Sequence, residues 1–128
     1  MLETLIPKAV WWGLDGQGYT EIGQEISDPD SGSRTWIMIY ALYKPVFFER
    51  PAHLYHEFIT RLLGHRYGVF IIEIPCARLG EYDNLYAEDI RVLFAKGADS
   101  EEDLRAIIED CKVDPGLFTY PWRCHYPL

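Results

Sequence analysis

The chain predicts an α+β protein: an antiparallel sheet with two helices on one face, in the ferredoxin-like split βαβ pattern, preceded by an N-terminal β-hairpin. Three observations carry that expectation. Runs rich in Val, Ile, Trp and Tyr recur along the chain, two segments (51–64 and 98–112) repeat apolar residues with helical period, and Asp15-Gly16 separates the first two β-type runs. With 128 residues the chain suits one domain. Its parts are an N-terminal hairpin and turn (1–34), a βαββα(β) unit (35–120) and an aromatic tail (121–128).

"KAVWWGL" and "QGYTEIGQEI" read as strands, and Asp-Gly between such runs signals a type I′ turn, which needs positive φ at both central positions. The spacing Gly13-x-x-Gly16-x-Gly18 is not a phosphate loop. That chemistry needs glycines between a strand and a helix, whereas "YTEIGQEI" follows here and no Gly-Lys-Ser/Thr is present. "SDPDSGSR" (27–34) is a turn cluster. It is no EF-hand loop, because counting from Asp28 places Ser33 at the sixth position and Ile39 at the twelfth, where Gly and Glu are required.

"TWIMIYALY" (35–43) is apolar on both faces, with Ile37, Ile39 and Ala41 on one and Trp36, Met38, Tyr40 and Leu42 on the other, as expected of a central strand. Pro51 is placed to open a helix whose stripe is Tyr55, Phe58, Ile59 and Leu62, closed by Gly64. "YGVFIIEIP" (67–75) and "DIRVLFAKG" (89–97) are strands joined by a long polar connection. In "ADSEEDLRAIIEDCK", Ser100 caps a helix with acids in its first turn and an apolar stripe of Leu104, Ile107, Ile108 and Cys111. Glu101–Arg105 and Arg105–Glu109 have i,i+4 spacing. "LFTYPWRCHYPL" ends the chain as a short strand broken by Pro121.

Twenty acids against twelve bases give a formal charge of −8. Such a chain is repelled by nucleic-acid phosphates and anionic lipid and attracted to basic partners. The "HRYGVFII" stretch lacks the aromatic spacing of an RNA-binding strand. The three cysteines form no C-x-x-C pair and "MLETLIPKAVWW" does not read as a signal peptide, which together predict a reduced, cytoplasmic protein. No apolar run approaches the ~20 residues of a membrane span, so no membrane partner is expected.

Candidate chemistry is sparse. His53-x-x-His56 could offer two metal ligands on one helix face, but no third or fourth ligand is near in sequence, and no cofactor is predicted. Cys124 and His125 are neighbours and point apart in an extended tail, Cys111 lies on a core stripe, and Cys76 has no adjacent base. Glu73 shares a strand face with Val69 and Ile71 and has Arg91 as its natural cross-strand partner. Lining a cavity instead, it is the best general-base candidate in the chain.

Two acidic clusters remain: Glu81, Asp83, Glu88 and Asp89, interleaved with Tyr82 and Tyr86, and Asp99, Glu101, Glu102 and Asp103. Four tryptophans and nine tyrosines exceed what a small core readily hides. The expected function is therefore a small acidic inhibitor, of the immunity, anti-defence or nucleic-acid-mimic type, that occludes a basic protein or complex through these clusters. The alternative is a small ferredoxin-like enzyme or ligand-binding homodimer with its site around Glu73, Arg91 and a histidine.

Overall fold

The computed structural model describes residues 2–49, 56–79 and 87–128. Four strands, β1 (Glu21–Glu25), β2 (Ser33–Tyr40), β3 (Tyr67–Pro75) and β4 (Arg91–Ala98), form one sheet in the order β1-β2-β3-β4, every neighbouring pair antiparallel. The α+β class and the antiparallel sheet are therefore as expected. The split βαβ arrangement is not formed. It requires parallel strands separated by an inserted one, whereas β3 returns directly beside β2 over the whole register from Ser33↔Pro75 to Tyr40↔Gly68. Both strands are apolar on two faces, so pairing them centrally puts the most hydrophobic backbone where each face is covered.

The N-terminal hairpin is also corrected. Residues before β1 form two helices, α1 (Leu2–Leu5) and α2 (Lys8–Asp15). A strand would place Trp11 and Trp12 on opposite faces too, so the tryptophans alone do not decide between the two. The deciding pattern is Leu2, Ile6, Val10 and Leu14, an i,i+4 series that enters a single buried cluster while Trp12 stays 59% exposed. Gly16 has φ −106°, so Asp15-Gly16 makes no type I′ turn and Gly16 simply ends α2, its N–H donating to the Trp12 carbonyl at 2.7 Å.

The turn into β2 follows expectation: Asp28 Oδ1 accepts from the Asp30 N–H at 3.0 Å, and Gly32 supplies a φ of +74°. Short helices α3 (Val46–Glu49) and α4 (Glu57–Thr60) lie between β2 and β3. Pro51 and Tyr55 fall outside the described residues. After β3 come α5 (Cys76–Leu79), a 3-10 turn at Ala87–Asp89 and then β4. The final helix, α6 (Glu101–Asp110), has the expected cap, Ser100 Oγ accepting from the Asp103 N–H at 3.1 Å.

The alternation along β2 sorts the interior into two cores. Ile37, Ile39 and Ala41 join α1, α2 and the Leu104, Ile107 and Ile108 stripe of α6 on one side of the sheet. Trp36, Met38, Tyr40 and Leu42 join Phe47, Phe58 and Ile59 and the tail residues Cys124 and Tyr126 on the other. The predicted pair of helices thus covers opposite faces rather than one, because both faces of β2 and β3 are apolar and each needs a cover.

The tail closes the second core. Thr119 exchanges two backbone hydrogen bonds with Gly23 (2.8 and 2.9 Å), which leaves the expected last strand as a single bridge on the β1 edge. Pro121 then opens a 3-10 turn, Pro121–Arg123. Beyond it, Trp36 Nε1 donates to the Cys124 carbonyl at 2.7 Å, and the Tyr40 and Tyr126 hydroxyls meet at 2.6 Å.

Candidate functional site

The acidic residues occupy the two ends of β4. Glu88 and Asp89 precede it, and Asp99, Glu101, Glu102 and Asp103 follow it. At ~3.3 Å per residue the strand separates the groups by roughly 25 Å, well beyond a Debye length of ~8 Å at physiological salt. They are two surfaces, not one. Glu81, Tyr82, Asp83 and Tyr86 lie outside the described residues. Asp89 faces Arg78 Nε at 3.1 Å, and Asp99 lies 3.2 Å from His65 Nδ1 while accepting from the Arg66 N–H at 3.3 Å. Glu101, Glu102 and Asp103 are exposed on the first turn of α6, where negative charge complements the helix dipole.

Glu73 and Arg91 stand opposite each other in the β3–β4 register, with Arg91 Nη1 3.6 Å from Glu73 Oε1. The Arg91 side chain is 75% exposed, so this is a solvated cross-strand ion pair at the sheet end. His56 precedes α4 and is stacked on Phe58 with ring centroids 5.9 Å apart; partial desolvation of the imidazole lowers its pKa. His53 lies outside the described residues. Among the described residues no group of three or more His, Cys, Asp or Glu is placed to hold a metal ion. Cys76 is exposed, while Cys111 and Cys124 are more enclosed and burial pushes both thiols up.

A cleft that sequence reasoning did not find lies at the opposite edge of the sheet, between the start of β1 and the tail. About 360 Å³ in volume, it is walled by Tyr19, Trp122 and Tyr126, and its lining includes Thr20, Glu21, Pro121 and the tail residues Pro127 and Leu128. The walls are held from behind. Tyr120 stacks on Trp122 (centroids 4.9 Å apart, planes 10° from parallel) and also meets Tyr19 at 5.0 Å. Tyr19 and Trp122 are 5.3 Å apart with their planes inclined by 55°. Lys44 Nζ donates to the carbonyls of Gln17 (2.6 Å) and Tyr19 (2.5 Å), and Tyr43 donates to Asp15 Oδ1 at 2.9 Å, which fastens the segment that carries Tyr19.

Among the described residues, Glu21 is the one charged side chain in this lining. It pairs with Tyr40 in the sheet register, on the face where Tyr40 and Tyr126 share their hydrogen bond. Burial raises its pKa, opposed only by a hydrogen bond from the Thr20 hydroxyl. Among the described residues no Lys, Arg or His lies within ion-pair distance of it. Four positions along the same strand, Glu25 is the opposite case. Arg34 Nε and Nη2 donate to its two oxygens at 2.7 and 2.5 Å, and its pKa is lowered. The signal available in the sequence was the excess of Tyr and Trp around 19 and 120–126; what was missing was that these segments meet.

Comparison with protein-family models, curated proteins and solved structures finds no match to this chain. Among the described residues no helix is long and apolar enough to cross a membrane.

Proposed function

We propose that this chain is a non-catalytic binding protein that docks a basic protein partner and occludes its surface, as an inhibitor would. The observation that supports this best is how the charges are used. Arg34, Arg61, Arg78, Arg91 and Arg105 each face a carboxylate of the same chain, while Glu101, Glu102 and Asp103 point outward from α6. With a formal charge of −8, the exterior field is negative and steers cationic surfaces inward, an attraction that salt weakens. Because β4 separates the two acidic groups by roughly 25 Å, the proposed footprint is the α6 end alone.

The test compares the native chain with a Glu101→Lys, Glu102→Lys, Asp103→Lys variant, both immobilised and exposed to native lysate across a salt gradient. A basic protein released as salt rises, and absent from the variant, is the expected result. A capture profile that the three substitutions leave unchanged overturns the proposal.

A further inference from the structure

We propose that the cleft between Tyr19, Trp122 and Glu21 receives the side-chain ammonium of a lysine carried by a protein partner. Identifying the cation as a partner's lysine rests on the binding function above; the cleft's preference for an ammonium group does not.

The floor argues for a cation. A carboxylate has about four lone-pair sites, and among the described residues Glu21 has a single hydroxyl donor, that of Thr20. A carboxylate partly removed from water, with no cation among the described residues beside it, is an unfavourable arrangement that an incoming positive charge relieves. An anionic ligand would add repulsion, and a neutral apolar or proline-rich segment would bury the carboxylate further without compensation.

The walls argue for a compact ammonium. Aromatic faces attract cations within ~6 Å of the ring centroid, through the negative charge of the ring quadrupole. Tyr19 and Trp122 meet at 55°, so they embrace a rounded ammonium on two sides, whereas a flat guanidinium stacks best on one face. Tyr126 adds a third ring whose hydroxyl is already committed to Tyr40. The stacking of Tyr120 on Trp122 fixes the cage beforehand, so little ordering is left for binding to impose.

Size and access argue for a group delivered on a stalk. About 360 Å³ is at the small end of ligand pockets, too little for a folded element of a partner. Trp122 is 56% and Tyr19 41% exposed, so the cage opens directly to solvent rather than enclosing a free metabolite. A lysine side chain, four methylenes long with a charged tip, fits such an opening.

The test is a titration with Nα-acetyl-lysine methylamide, its Nε-trimethyl form, its neutral Nε-acetyl form, the corresponding arginine derivative and tetramethylammonium, read by NMR at the Trp122 indole N–H, or at the Tyr19 ring protons where Trp122 is replaced. Both lysine ammonium forms should shift that resonance and the neutral form should not. Glu21→Gln and Trp122→Leu should each weaken binding by about tenfold or more while the remaining spectrum stays native. Equal binding of the Nε-acetyl form, tighter binding of the arginine derivative or of tetramethylammonium, or indifference to Glu21→Gln would each overturn the proposal. The triple lysine substitution on α6 should leave this titration unchanged. Loss of partner capture therefore reports on the α6 surface, and loss of probe binding reports on the cleft.

Discussion

Tyr120 lies so close to Gly13 that a Cβ placed on Gly13 would be 2.9 Å from its ring, and its hydroxyl donates to the Ala9 carbonyl at 3.0 Å. This contact joins α2 to the tail and sets the back of the aromatic cage. Ala would normally favour a helix over Gly by about 1 kcal/mol, but here it must displace a packed ring, which costs about 1–3 kcal/mol. Gly13→Ala should therefore lower stability by about 1 kcal/mol in urea denaturation. A stabilising substitution would show that the ring moves freely.

Tyr40 and Tyr126 are both buried and form the hydroxyl pair that pins the tail to the sheet. Removing one partner leaves the other hydroxyl buried without its bond, at a cost of about 1–3 kcal/mol. Tyr126→Phe and Tyr40→Phe should each destabilise by that order, and the double variant by clearly less than their sum. Strict additivity in the cycle would mean that the hydroxyls are not coupled.

Glu21 and Glu25 should respond to pH with opposite sign. Glu21, whose burial outweighs the hydrogen bond it accepts from Thr20, has a folded pKa above its ordinary 4.5. The folded state then binds more protons than the unfolded, so stability falls as pH rises from about 4.5 through the raised pKa. Glu25, beside Arg34 and Ser27, has a folded pKa below 4.5, so its contribution is present above 4.5 and disappears as pH falls through the lowered value. Denaturant midpoints across pH should show Glu21→Gln more stable than the native chain at neutral pH, and Glu25→Gln less stable by about 1 kcal/mol. Loss of stability in Glu21→Gln at neutral pH would contradict the burial of an uncompensated carboxylate.

Ligand binding in the cleft should carry the same signature. An ammonium group favours ionised Glu21, so probe affinity should rise with pH through the raised pKa and then level off. A flat profile would mean that Glu21 does not sense the ligand.

Glu73 and Arg91 should behave as a solvated pair. Glu73→Gln and Arg91→Ala are each expected to shift stability by under about 1 kcal/mol in denaturant titration. A much larger loss would mark the pair as an organising contact of the sheet end.

Much of the fold was legible in local signals. β3 spans the residues that its run of Val, Phe and Ile marked, α6 begins at the Ser100 cap, and the alternation of β2 assigned each side chain to its side of the sheet. The Glu73–Arg91 pairing was also foreseeable, because consecutive strands commonly pair and opposite charges match across them. α2 was not, since Val, Trp and a following Asp-Gly imitate a hairpin; the competing i,i+4 series from Leu2 to Leu14 crosses Pro7 and is easily missed. The strand order escaped because a β-α-β-β-α sequence fits several orders, and only the mutual burial of β2 and β3 selects this one.

By itself, then, the sequence determined β2, β3 and β4, the capped helix, the two-sided character of the central strand and the negative charge, which are read from composition and from neighbours within a few residues. Only the tertiary structure decided that helices cover both faces and that Tyr19 and Glu21 meet Trp122 and Tyr126. Those contacts join residues about a hundred positions apart, where periodicity and turn chemistry carry no information and burial of the whole chain sets the arrangement.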